Sequence, residues 1–256
     1  MTPPRTTPIP RELHFQGTPG QEQLSALPQI PQLSIDHVSV QRAGTLVLDD
    51  INLTLNESRI GVIGPNGAGK STLVRLLNGL VLPSTGTVRV GELSTTRDAK
   101  KVRRDVGFVF QNPANQIIMP LVEDDIAFGL KNLRLPASQR RERVSATLHE
   151  LGINHLAHRE SHTLSGGEQQ MVALAAVLAM DPKVIVFDEP TTMLDLRNRL
   201  RFQREIARLP QRCLVVTHDL ELLEDFDRVL VVTDGGIGFD GPPSAAVQYY
   251  RDWSAQ

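Results

Sequence analysis

The chain has 256 residues, of which 40% are apolar and 22% charged, with a net charge of −2 at neutral pH. That size and composition fit one large domain, or one domain with a subdomain, built on a real core. The charge balance argues against nucleic acid as the main partner, and a lone cysteine, Cys213, rules out an intrachain disulfide.

Residues 1–32 form a zone of their own, holding seven of the 17 prolines. Such a segment buries little and reads as an extended or disordered arm. From Leu33 the pattern is strand-like. Leu33–Val40 and Leu46–Leu55 are short alternating runs, and Arg59–Ile63 is an apolar, β-branched strand. Leu73, Leu76, Leu77 and Leu80 then fall at i, i+3, i+4 and i+7, one face of a helix. Gly86–Val90 and Val106–Gln111 are two more strands. Residues 112–165 change character, with helices at Val122–Leu130 and Ala137–Leu151, and read as a helical insertion of about 50 residues. From Gly166 the chain alternates: helix to Met180, strand Val184–Phe187, helix Arg197–Arg208, strand Cys213–Thr217, helix Leu220–Phe226, strand Arg228–Val232. This is the βα rhythm of a parallel sheet, beside an antiparallel subsheet from the first strands. The longest clean apolar run, Met171–Met180, is far short of the roughly 20 residues that cross a bilayer. Nothing at the start resembles a signal peptide, so work at a membrane needs an anchor supplied by another chain.

The most specific stretch is Gly64-Pro65-Asn66-Gly67-Ala68-Gly69-Lys70-Ser71-Thr72. It fits the phosphate-binding P-loop pattern, and it lies between a predicted strand and a predicted helix, the context that pattern requires. Free backbone N–H groups surround phosphate oxygens, Lys70 adds positive charge, and Ser71 offers a hydroxyl to Mg²⁺. Val184–Phe187 is an apolar strand ending in Asp188 and Glu189. Ligands of parallel sheets sit at the carboxyl ends of the strands. Asp188 is thus expected beside the P-loop, holding Mg²⁺ through water, with Glu189 orienting or deprotonating an attacking water. A second anion site is expected where Ser165, Gly166 and Gly167 open a helix. That helix, about 14 residues and roughly 20 Å long, separates Ser165 from the strand carrying Asp188. A phosphate site that cannot serve its own loop points to service in another subunit. His155, His158 and His162 lack the spacing of a strong zinc site and read as a solvated loop. Arg140, Arg141 and Arg143 read as the wet face of a helix.

The order of P-loop, Gln111 at a strand end, Leu164-Ser165-Gly166-Gly167, strand-Asp188-Glu189 and strand-Thr217-His218-Asp219 resembles an ABC-type ATPase over about residues 33–245. The resemblance implies a P-loop α/β fold, with a mixed core sheet, an antiparallel β-subdomain and a helical subdomain at about 112–165 within an ATPase domain of 33–250. It implies ATP and Mg²⁺ as cofactors. Gln111 would touch the metal and report to a membrane partner, and His218 would contact the γ-phosphate. Asp195 would lie at a dimer interface, while Ser165–Gly167 would grip the γ-phosphate bound by the other subunit. Two departures stand out. Arg42 occupies the position where the family often stacks an aromatic residue on adenine, and a guanidinium can stack there too. Glu168 replaces the usual glutamine, as is common in one branch.

Gln111–Ile118 and Val122–Leu130 are similar to the ATPases of energy-coupling-factor transporters, which import vitamins and transition-metal ions. Ile118-Met119-Pro120 and Thr192–Arg199 are most similar to the biotin systems of that family. The implied partners are a second ATPase subunit, a transmembrane coupling subunit and a substrate-binding integral membrane subunit, with no nucleic acid. The implied location is peripheral, on the cytoplasmic face of the inner membrane. Import of cobalt, nickel or another vitamin, a soluble ABC ATPase acting on DNA or ribosomes, and a nucleotide-binding regulator are the alternatives. The short insertion, the single ATPase half and Glu189 weigh against the last two.

Overall fold

A computed structural model describes residues 30–255. The proline-rich arm expected at 1–32 therefore lies almost wholly outside the described residues. The chain opens with β1 (Leu33–Arg42) and β2 (Thr45–Leu55), then runs through β3 (Arg59–Ile63), α1 (Lys70–Leu76), β4 (Thr85–Val90) and β5 (Leu93–Ser94). Next come α2 (Ala99–Asp105), β6 (Val106–Val109), α3 (Val122–Leu130), α4 (Ala137–Glu150) and α5 (Gly166–Leu178). The last part holds β7 (Val184–Asp188), α6 (Leu196–Arg208), β8 (Arg212–Val216), β9 (Arg228–Thr233), β10 (Gly236–Gly241) and α7 (Pro243–Ser254).

Two sheets result. A four-stranded antiparallel sheet has the order β2-β1-β4-β5. A six-stranded sheet has the order β10-β9-β3-β8-β7-β6, with every pair parallel except β10 on β9. Successive side chains of a strand point to opposite faces, and β7 shows what this does here. Val184 and Val186 enter a core shared with α1 and the antiparallel sheet. Ile185 and Phe187 enter a second core made with α3, α4 and α5. A strand buried on both faces reads as an unbroken apolar run. Burial of Phe187 alone is worth about 1.5–3 kcal/mol.

The structure corrects four sequence expectations. The P-loop helix stops at Leu76 rather than reaching Leu80. The chain turns at Asn78, whose Oδ1 accepts from Leu80 N, and at Gly79 with φ +67°, leaving Leu80 44% exposed. The strand expected at 106–111 ends at Val109, so Phe110 and Gln111 lie beyond it. No α-helix forms at 220–226, only a 3₁₀ turn at Glu221–Leu223. Its apolar residues Leu220, Leu223 and Phe226 recur every three residues, the 3₁₀ period. Arg143 is also not simply wet, since it is half-buried and lies 3.3 Å from Asp181.

Four further strands and α-helices are not expected from the sequence pattern: α2, β5, β10 and α7. The hairpin of β9 and β10 turns at Asp234-Gly235, both with positive φ, as a two-residue type I′ turn requires. Among the described residues, no helix is long and apolar enough to cross a membrane.

Candidate functional site

The loop Gly64–Gly69 joins β3 to α1. Gly64 has φ +145°, and a Cβ there would stand 2.1 Å from the Val232 carbonyl oxygen. Gly69, with φ +104°, caps α1 against Leu48 and the Val47 carbonyl. These contacts press the loop between the β1–β2 hairpin and β9, so its backbone path is fixed by packing. Around them Pro65 is half-buried, Asn66 and Gly67 are exposed, Ala68 is buried and Thr72 is half-buried. The N–H groups of Lys70, Ser71 and Thr72 open a helix and have no partner within it.

Lys70 is only 5% exposed, and its Nζ donates to the Gly64 and Pro65 carbonyls at 2.9 Å each. Burial pushes the ammonium below its usual pKa, and the charges of Glu189 and Asp188 oppose that shift. An ammonium folded onto the carbonyls of its own loop is the donor set that phosphate oxygens would suit.

Asp188 ends β7 and is 2% exposed. Ser71 Oγ donates to its Oδ1 at 2.7 Å, and Arg75 NH2 donates to its Oδ2 at 2.8 Å. Hydroxyl and carboxylate oxygens side by side are hard ligands of the kind Mg²⁺ takes. Among the described residues, no group of three or more His, Cys, Asp or Glu is arranged to hold a metal ion. A metal at Ser71 and Asp188 would therefore complete its shell with phosphate and water oxygens, which is how Mg²⁺ usually binds beside nucleotides.

One residue on, Glu189 adopts φ +51° and donates its N–H to the Val216 carbonyl at 3.0 Å. Its carboxylate gathers three loops. Gln111 Nε2 and Thr192 Oγ1 donate to Oε2 at 3.2 Å each, and His218 Nε2 lies 3.1 Å from Oε1. The sheet explains this convergence. Strands β6, β7 and β8 are adjacent and parallel, so Gln111, Glu189 and His218 leave at the same end.

Ser165 caps α5 in a capping box. Its N–H and hydroxyl both donate to Glu168 Oε2 at 2.8 Å, while Arg159 NH1 donates to Oε1 at 3.1 Å. The Ser165 donors, with the Arg159 charge, hold the Glu168 carboxyl below its ordinary pKa. Gly166 opens the helix, and a Cβ on Gly167 would stand 2.5 Å from Asn198 Cγ. Asp195 in turn caps α6 by accepting from Asn198 N at 2.8 Å. Ser165–Glu168 and Asp195 thus form one patch joined through Asn198. Among the described residues, no hydrogen bond or ion pair connects that patch to Lys70, Ser71, Asp188 or Glu189. Arg42 stands exposed at the end of β1, opposite Thr45. Of the loop histidines, His158 lies 3.1 Å from Glu123 and His162 lies 3.4 Å from Glu160.

Sequence reasoning missed Arg75, Thr192 and Asn198. Arg75 was detectable, since it falls four residues after Ser71 and shares its helix face. Thr192 and Asn198 carry no comparable signal.

A family model described as ABC transporter matches residues 48–192. The chain belongs to the ABC transporter ATPase family. An ABC transporter ATP-binding protein of Deinococcus radiodurans is 51% identical, covering 86% of this chain and 97% of its own length. The biotin transport ATP-binding protein BioM of Rhizobium etli is 46% identical over 87% of this chain and 99% of its own. The energy-coupling factor transporter ATP-binding protein EcfA1 of Halalkalibacterium halodurans is 42% identical over 76% and 72%. Among solved structures, CbiO1 of Clostridium perfringens, part of the ABC transporter complex CbiONQ, superposes with a TM-score of 0.75 at 31% identity. It covers 87% of this chain and 93% of its own. A dimeric ATP-binding cassette in a post-hydrolysis state with ADP and Pi gives a TM-score of 0.73 at 26% identity, over 82% and 98%. The fold is that of a P-loop ABC ATPase, and the chain is an ATPase of the importer branch that contains the energy-coupling-factor systems.

Proposed function

We infer that this ATPase drives biotin uptake, as the motor of an energy-coupling-factor importer on the cytoplasmic face of the inner membrane. The observation that carries the chemistry is the convergence of Gln111, Glu189 and His218 beside the Ser71–Asp188 pair. In this reading, Gly64–Thr72 wraps the phosphates of ATP and Lys70 turns from its own carbonyls to the β- and γ-phosphates. Ser71, Gln111 and Asp188 would hold Mg²⁺, Asp188 through water. Bound there, Mg²⁺ would neutralise developing phosphate charge. Glu189 takes a proton from the attacking water, and His218 steadies the γ-phosphate. Arg42 stacks on the adenine.

Ser165, Gly166 and Gly167 serve the ATP of a second copy, with Asp195 at the interface. The separation of that patch from the chain's own loop supports this, as does the dimeric state of the cassette bound to ADP and Pi. Closure around two ATP molecules would then pull on a transmembrane coupling subunit, which works with a substrate-binding membrane protein. We take residues 33–250 as the ATPase domain, with 112–165 as its helical subdomain. Biotin is favoured over cobalt on length match more than on identity: BioM of Rhizobium etli, at 46%, is covered over 99% of its own length, whereas the cobalt import ATP-binding protein CbiO of Syntrophus aciditrophicus, at 44%, is covered over 77%.

Two measurements test the reading. Glu189→Gln should lower phosphate release at least about 100-fold while ATP binding persists; turnover near the wild-type rate refutes the role of Glu189. Co-expression with a biotin-binding membrane subunit should give ATP-dependent uptake of labelled biotin. Uptake of cobalt or nickel, with none of biotin, overturns the cargo.

A further inference from the structure

Arg75 is the cation that the reaction described above leaves unused. It sits on α1 one turn beyond Ser71, so both side chains face β7. Ser71 Oγ takes Asp188 Oδ1 at 2.7 Å, and Arg75 NH2 takes Oδ2 at 2.8 Å. The carboxylate is almost fully buried, whereas Arg75 reaches it from a half-buried position. Arg75 Nε is itself buried and has no hydrogen-bond partner. An arginine free to choose would not leave that N–H unpaired, because an unsatisfied buried donor is costly. The geometry is held by packing and by the ion pair, and the ion pair is what compensates a desolvated carboxylate.

The consequence is directional. A carboxylate bound at one oxygen can turn about its Cβ–Cγ bond. A carboxylate bound at both oxygens cannot. With Oδ2 fixed by Arg75, Oδ1 stays on Ser71 Oγ, and the two oxygens form one edge.

We propose that Arg75 is a positioning residue for this metal edge: by holding Asp188 Oδ2 it keeps Asp188 Oδ1 and Ser71 Oγ aligned for a divalent cation. The proposal rests on the reading of Ser71 and Asp188 as the Mg²⁺ site. Outer partners of metal ligands act in this way, and their loss commonly weakens metal binding by about 10–100-fold.

The test uses the full-length chain, Mn²⁺ as the probe and a non-hydrolysable ATP analogue. Mn²⁺ affinity of the protein–nucleotide complex is read by electron paramagnetic resonance. Nucleotide affinity without metal is read with a fluorescent ATP analogue in EDTA, and Tm is recorded for every variant. Arg75→Met should weaken Mn²⁺ binding about tenfold or more, with metal-free nucleotide affinity within about twofold. Arg75→Lys keeps a charge able to reach Oδ2 and should recover most of the loss, which separates positioning from a folding defect. Mn²⁺ affinity unchanged in Arg75→Met overturns the proposal, and so does an equal loss of metal-free nucleotide binding. The underlying site reading fails separately: Ser71→Ala and Asp188→Asn would then bind Mn²⁺ as well as the wild type does.

Discussion

Gly167→Ala is the most informative single change, because its steric and functional effects can be separated. A methyl group there would stand 2.5 Å from Asn198 Cγ, 2.7 Å from Oδ1 and 2.8 Å from Nδ2. Ordinary contact begins near 3.4 Å, so the Asn198 amide must retreat by 3.4 − 2.5 = 0.9 Å. Its backbone N is tied to Asp195, so the relief must come from the side chain turning aside. Overpacking of this kind costs about 1–3 kcal/mol. Alanine in place of glycine in a helix returns about 0.5–1 kcal/mol. The net expectation is a loss of about 0–2.5 kcal/mol in urea unfolding of the purified chain. Asn198→Ala removes all three clashing atoms. In that background Gly167→Ala should become stabilising, giving a coupling energy of about 1–3 kcal/mol in a double-mutant cycle. Additivity within about 0.5 kcal/mol refutes the packing argument. ATP-driven dimerisation, followed by size-exclusion chromatography, supplies the second readout. If Gly167 also lets a second copy's phosphate approach, dimerisation stays impaired in the double variant although stability is restored.

Other outcomes follow from the same structure. Asp195→Ala should cost about 0.5–2 kcal/mol by uncapping α6, seen as a lower urea midpoint with an unchanged slope. Phe187→Ala, in the core between β7 and the helices, should cost about 3–5 kcal/mol by the same assay. Cys213 is buried and its thiol is pushed up to about 12, so a thiol reagent at pH 8 should label it only as fast as the chain unfolds. Glu168 is depressed in the folded state, so its contribution is present above the unfolded carboxyl pKa and is lost as pH falls through the folded value. Glu168→Gln should therefore be less stable than wild type at neutral pH, with the gap closing below about pH 4.

The parts most legible in the sequence were those whose burial is simplest. Strands β3, β7, β8 and β9 are packed on both faces, so their apolar runs gave their bounds to within a residue or so. The P-loop was legible because its glycines answer to physical demands: Gly64 and Gly69 to close contacts with Val232 and Leu48, and Gly67 to a positive φ. Less could be read where one residue decides the backbone. Leu80 fits the helical face of Leu73 and Leu77, yet the turn at Asn78-Gly79 swings it outward. The Asp234-Gly235 turn was visible as a dipeptide, but β10 carries glycines at positions 236, 238 and 241 and has no alternating pattern to extend it. At the site, the order of motifs located Gln111, Glu189 and His218. Their meeting on one carboxylate required the strand order, which motif order along the chain does not contain.

Glu189 enters that meeting with three of the roughly four acceptor positions of its carboxylate already faced by neighbours. One oxygen is shared by Gln111 and Thr192, and the other faces His218. A water seeking this carboxylate must compete with neighbours that already occupy it. Gln111 heads the segment whose Gln116 is pinned to Phe110 N and the Ala173 carbonyl. A tug on that segment from outside would reach Glu189 before it reached any phosphate.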